Sequence, residues 1–153
     1  MNTVIAERLT LLGLALPAPI QPLGSYRSVS VSGQEIYVSG LGPFEGGKPL
    51  TGTVGEDIPL EKAQYAAKLT MLMILACLEE ACGLENIERC IRLTVYVRAC
   101  AGFTDHPKVA NGASDLLSGL FGQDALPARS AIGVATLPMN IPVEIDSVFR
   151  LKR

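Results

Sequence analysis

The chain has 153 residues, enough for one domain with a sizeable core. Hydrophobic residues make up 48% and charged residues 18%, which excludes a disordered chain. Thirteen basic against fifteen acidic side chains give a net charge of −2, and there is no tryptophan, so nothing in the balance supports general nucleic-acid binding through phosphate contacts.

The N-terminal stretch MNTVIAERLTLLGLALP carries Glu7 and Arg8 where a secretory signal would be apolar. Residues 5–14 are predicted to form a short amphipathic helix, ended by Gly13 and then Pro17. Residues 16–23 are proline-rich and expected to be extended. The runs YRSVSVSG and EIYVSG alternate, with Val29 and Val31 on one face and Ile36 and Val38 likewise. Ser32-Gly33-Gln34 between them predicts a β-hairpin. GPFEGGKPLTGTVGE is rich in glycine and proline and reads as a loop with room for a short strand.

A helix follows. Asp57 is the expected N-cap, with Pro59 in the first turn; the pattern continues to Cys82, and Gly83 suits the position after the helix. Its greasiest run, LTMLMILACL, is about half the length that spans a bilayer. The helix is apolar nearly all round, so it is expected to lie between a sheet and a further layer, with part of the protomer surface covered by other subunits. Residues 91–98 alternate cleanly as a strand, with Arg92, Thr94, Tyr96 and Arg98 on one face. A second helix is predicted over 107–121, ending at Gly122. Strands over 129–137 and 141–151 follow, with Pro138-Met139-Asn140 as the turn. The order β-β-α-β-α-β-β, without repeat or linker, predicts a single α+β domain over residues 1–153, of which 1–20 are the N-terminal helix and extended segment.

Cys77, Cys82, Cys90 and Cys100 include no C-x-x-C pair, and His106 is the single histidine. No metal site is expected, and reduced thiols in a cytoplasmic protein are the reading. His106, beside Asp105 and before Pro107, is expected to serve as a cap or surface residue at the start of the second helix.

The segment LPARSAIGVATLPMNIPVEI holds two charges in an apolar setting, Arg129 and Glu144. Burying either without a partner would cost several kcal/mol or more. Alternation places Arg129, Ala131, Gly133 and Ala135 on one face. Such small residues either receive a helix or a neighbouring subunit, or floor a pocket with a guanidinium at one end. A guanidinium offers paired donors that match a carboxylate. Glu144 shares a face with Asp146. It is either an acid or base of raised pKa or a solvated carboxylate on the open face of an edge strand. In a tight hairpin, Arg129 and Glu144 would be offset by roughly five residues, about 17 Å, and would face opposite sides.

PARSAIGVATLP followed by VEI resembles the signature of the RidA / YjgF family. YVSG, GSY and the segment AACGLENIERCIRLTVYVR are weaker matches, and the N-terminal helix with NGASDLL looks like one branch of that family. The family is often labelled endoribonuclease or translation initiation inhibitor. The resemblance implies a chorismate-mutase-like fold, with helices on one face of a mixed sheet. It also implies a homotrimer with clefts between subunits and no cofactor. In the deaminase members, the matching arginine holds the carboxylate of a small 2-imino acid and the glutamate directs water to the imine carbon. Those roles map onto Arg129 and Glu144. Tyr26, Gly40, Ser114, Ser130 and Ala131 map onto substrate-contacting positions. Ala131 and Gly133 stand where deaminase members carry cysteine and glutamate, and Ser25 where they carry proline. The first two changes enlarge the pocket and remove polar contacts, which keeps a non-catalytic carboxylate binder as the alternative. An endoribonuclease has the least support, given the charge balance and the single histidine.

Overall fold

The computed structural model describes residues 4–153. Helix α1 (Val4–Leu11) turns through Gly13, whose φ of 70° is open to glycine at no steric cost. An extended segment leads to the hairpin of β1 (Val29–Ser32) and β2 (Glu35–Leu41), which pairs Ser32 with Glu35 across a two-residue loop. The glycine-rich segment forms its own small hairpin, β3 (Phe44–Glu45) with β4 (Lys48–Pro49), a second short strand beyond the one the sequence suggests. Then come α2 (Leu60–Cys82), β5 (Ile87–Arg98), α3 (His106–Phe121), β6 (Ala128–Val134) and β7 (Val143–Leu151). Both long helices end on glycine as expected, Gly83 and Gly122. The expected N-cap does not hold: α2 starts after Pro59, and the Asp57 carboxylate instead accepts a hydrogen bond from the Thr53 amide at 2.7 Å.

One five-stranded sheet runs in the order β1-β2-β7-β5-β6, parallel only between β5 and β6. The α+β class and the helix-on-one-face mixed sheet are as expected. The pairing of the last two strands is not. β6 and β7 follow each other in sequence, yet β5 lies between them. The Pro138–Asn140 turn therefore carries the chain over β5, and Met139 and Asn140 take positive φ to do so. Register then fixes the faces. Leu93, Val95 and Val97 lie level with Arg129, Ala131 and Gly133 on one side and with Ser147, Ile145 and Val143 on the other. Those β5 and β7 side chains are buried under the helices. The opposite face carries Thr94, Tyr96, Ser130, Ile132, Glu144 and Asp146 and is not covered by any helix of the chain.

The middle of α2, from Thr70 to Leu78, is buried all the way round. The further layer comes from the chain itself, not from another subunit. Leu14, Leu16 and Ile20 of the N-terminal segment pack on the core. The all-round apolar pattern of α2 is thus no argument for an oligomer. Among the described residues, no helix is long and apolar enough to cross a membrane.

The two long helices meet at Gly112, where a Cβ would stand 2.0 Å from the Gln64 carbonyl oxygen of α2. Backbone cannot yield as a flexible side chain can. Gly112→Ala should therefore destabilise the protein by about 1–3 kcal/mol in urea unfolding. An unchanged midpoint would contradict this contact.

Candidate active site

Glu144 sits on β7, level with Tyr96 on β5, on the bare face of the sheet. Beside it, β2 is bulged: the pairing with β7 slips between Val38 and Leu41, so Ser39 and Gly40 swing out of register. The slip presses Gly40 against Glu144. A Cβ on Gly40 would come within 3.1 Å of the Glu144 carboxyl carbon and Oε1, so a larger residue would push that carboxyl aside by a few tenths of an ångström. Tyr26 arrives from the loop before β1, its hydroxyl accepting from the Leu23 amide at 3.2 Å. Tyr26, Gly40 and Glu144 together border two adjoining hollows. One is an open depression of about 430 Å³ shared with Tyr96, Pro138 and Asp146. The other is a more enclosed cavity of about 230 Å³. Burial first, and the neighbouring Asp146 carboxylate second, raise the pKa of Glu144 above the ordinary carboxylate value. The Tyr96 hydroxyl donates to Asp146 at 2.8 Å, and that bond raises the tyrosine pKa. Glu144 lies on a central strand and is half-buried, unlike a solvated carboxylate at a sheet edge.

Arg129 lies on the other side. On β6 it points under α3, which supplies three acceptors. Its Nη1 donates to Asn111 Oδ1 at 2.7 Å and Ser114 Oγ at 2.9 Å, and its Nη2 to the Pro107 carbonyl at 3.0 Å. Three of the five N–H donors of a guanidinium are thus engaged, leaving one on Nη2 and the one on Nε. The small-residue stripe is filled by the same helix: a Cβ on Gly133 would meet His106 Nε2 at 2.6 Å. The imidazole also lies edge-on to Phe103, with ring centroids 5.2 Å apart. His106 therefore packs into the seam between α3 and β6; its helix has no side-chain cap.

Of the seven residues singled out from sequence, Tyr26, Gly40 and Glu144 come together, and Arg129 and Ser114 come together. The two groups do not meet within the chain. Ser130 and Ala131 split between the faces, with Ser130 Oγ accepting from Arg92 Nη2 at 2.8 Å on the bare side. Because β5 intervenes, Arg129 and Glu144 are three β5 positions apart along the strands, rather than five along a hairpin. That is about 10 Å along and about 10 Å across two strand spacings, on opposite faces. Neither hollow beside Glu144 is lined by Arg129. Asn111, the Pro107 carbonyl and Asp146 were not assigned roles from sequence. Helical spacing offered a signal for the first, since Asn111 and Ser114 are three apart and share a face of α3.

The cysteines are unpaired. Burial raises the thiol pKa of Cys77 and Cys82 and pushes Cys90 up to about 12, which makes these three poor nucleophiles. Among the described residues, no cluster of histidine, cysteine and carboxylate could hold a metal.

The family model described as "YjgF/chorismate mutase-like, putative endoribonuclease" matches residues 6–147. The Trypanosoma cruzi protein TCP17 is 37% identical over 150 residues, covering 96% of this chain and 94% of that protein. A 2-iminobutanoate/2-iminopropanoate deaminase of Dermatophagoides farinae is 28% identical over 137 residues, covering 88% and 92%. The crystal structure of an Agrobacterium tumefaciens protein of unknown function superposes with a TM-score of 0.90 at 39% identity, over 97% of this chain and 93% of that one. The chain belongs to the YjgF/RidA family.

A carboxyl whose pKa is raised on folding holds its proton more tightly folded than unfolded. Its contribution favours folding at acid pH and is lost as pH rises through the raised folded value. Glu144→Gln removes the buried charge. It should therefore melt a few degrees above the parent at neutral pH, and the gap should close near about pH 4, where the unfolded carboxylate also protonates. Parallel melting-versus-pH curves would contradict the raised pKa.

Proposed function

We propose that this YjgF/RidA-family protein hydrolyses small 2-imino acids to 2-keto acids and ammonia, in clefts shared between protomers of a homotrimer. The observation that carries the proposal is the half-buried Glu144 carboxyl, of raised pKa, pressed on Gly40 beside Tyr26. Such a group can exchange a proton with water nearer neutral pH than an ordinary carboxylate. The carboxylate form takes a proton from water as the water oxygen bonds to C2 of the imine. The C=N π pair moves to nitrogen, which takes up a proton. As the carbinolamine collapses, its hydroxyl proton passes by way of Glu144 to nitrogen, the O–H pair forms the C=O π bond, and C–N breaks to release ammonia and leave the keto acid.

Arg129 supplies the anchor. Its guanidinium is set by three bonds from α3, and its two remaining donors suffice for the substrate carboxylate. One protomer cannot bring Arg129 and Glu144 to one small molecule, since they lie on opposite faces of its sheet. In this reading Arg129 of one protomer meets Glu144 of the next, and the bare sheet face makes the contact. That face shows Tyr37 and Ile132, 46% and 45% exposed. The unpaired thiols fit a reducing cytoplasmic setting.

A second reading, a non-catalytic carboxylate binder, draws on the engagement of Arg129 by its own chain and on Ala131 and Gly133, which add no polar group. A ribonuclease fits less well, because the acidic pair Glu144 and Asp146 would repel phosphate.

The test is ammonia release when the purified protein is added to 2-iminobutanoate formed by a threonine dehydratase. Acceleration should fall about 100-fold or more in both Arg129→Ala and Glu144→Gln, since each loses positioning or proton transfer. Wild-type protein that leaves the imine at its uncatalysed rate would remove the hydrolase reading. Stabilisation by 2-keto acids that disappears in Arg129→Ala, without turnover, would establish the binder instead.

A further inference from the structure

We propose that Tyr96 is a positioning residue for the hydrolysis: its hydroxyl ties down Asp146, so that of two neighbouring carboxyls Asp146 carries the charge and Glu144 the exchangeable proton. The proposal rests on the hydrolase reading for what that proton does, and on the sheet for where it sits. Glu144 and Asp146 are two apart on β7 and so project from the same face. Register sets Tyr96 opposite Glu144 and Thr94 opposite Asp146. An aromatic side chain can reach its diagonal neighbour as well as the direct one. The Tyr96 hydroxyl takes the diagonal, donating to Asp146 Oδ2 at 2.8 Å. Among the described residues, no group donates to the Glu144 carboxyl. Tyr96, Glu144 and Asp146 line the same open depression of about 430 Å³.

The unequal hydrogen bonding decides the proton. A hydroxyl that donates to a carboxyl favours the charged form of that carboxyl, and a charge on one of two close carboxyls disfavours a charge on the other. A donor on Asp146 alone therefore leaves the proton to Glu144, and the burial of Glu144 works in the same direction. Tyr96 keeps its own proton. The bond to Asp146 first, then burial and the charges of Asp146 and Glu144, raise its pKa above the ordinary phenol value, so the donor persists at neutral pH. Other elements also face Glu144. β2 brings Ser39 and Gly40, and the loop before β1 brings Tyr26. Arg92 and Arg98 flank Thr94 and Tyr96 on β5. Arg92 gives its Nη2 to Ser130 Oγ at 2.8 Å, and Arg98 its Nη1 to the carbonyls of Gly52 and Asn140 at 3.4 and 3.3 Å. The hydrolase reading adds Arg129 of the next protomer, a fixed charge that changes at Tyr96 and Asp146 leave in place.

Carbon NMR titration of the side-chain carboxyls reads the proton directly, with the Glu144 signal assigned by its loss in Glu144→Gln. In Tyr96→Phe, which keeps the ring and removes only the hydroxyl, the Glu144 midpoint should fall toward the ordinary carboxylate value. Asp146 then loses the donor that favours its charge and takes a share of the proton. Asp146→Asn should lower the Glu144 midpoint too, and Tyr96→Phe should add nothing further in that background. A midpoint that stays or rises in Tyr96→Phe, or that drops equally with and without Asp146, would overturn the proposal. With 2-iminobutanoate as substrate, the acid limb of the kcat/KM profile should move to lower pH in Tyr96→Phe, while kcat at the optimum falls less than about 10-fold. An unmoved limb, or a KM increase that persists in the Asp146→Asn background, would overturn the positioning role and place Tyr96 on the substrate. If the wild-type protein hydrolyses no imine faster than background, the hydrolase reading fails, and the titration still decides which carboxyl holds the proton.

Discussion

Strand alternation decides where Arg129 and Glu144, two charges in an otherwise mostly apolar segment, can go. Arg129 stands level with Leu93, and Leu93 must face the helices because it is wholly buried. Glu144 stands level with Tyr96, one step out of phase, and so faces away. No side-chain motion can move a strand residue through its own sheet. Each charge must therefore be satisfied on its own side, and the site's composition follows from that.

The two sides use different means. Under the helices, the guanidinium finds three acceptors over about two turns of α3, so it is neither orphaned nor neutralised by a carboxylate. Without a counter-charge it keeps its positive field and two donors for an anion. On the bare face, burial first and the Asp146 carboxylate second raise the pKa of Glu144, so its proton is held more tightly than usual. One end of a cleft built from both would be cationic and the other a weak acid, the polarity that a 2-imino acid presents from carboxylate to C2.

Much of this was legible in the residues. Alternation in 91–98, the glycines after both helices and the pairing of Arg129's face with small side chains all follow from local physics. The errors were errors of context. A short turn between two strands suggests a hairpin, yet the parallel pairing of β5 with β6 puts β5 between them, and nothing local records that. An all-round apolar helix suggests a subunit interface, yet the middle of α2, from Thr70 to Leu78, is buried within the single chain. The small residues of β6 left a helix and a pocket equally open; α3 and His106 occupy the space. The enclosed cavity beside Glu144 was invisible for the same reason, because its walls come from positions as far apart as Ile20 and Ile141.

The claim that matters most is that anchor and proton carrier belong to different protomers. Arg129→Ala and Glu144→Gln protein, each inactive, can be unfolded together in equal amounts and refolded. Random assembly then gives about a quarter of the clefts an intact arginine from one chain and an intact glutamate from its neighbour. Imine hydrolysis should return to roughly that fraction of the wild-type rate. Mixed assemblies as inactive as their parents would place both residues in the same chain's site and contradict the shared cleft.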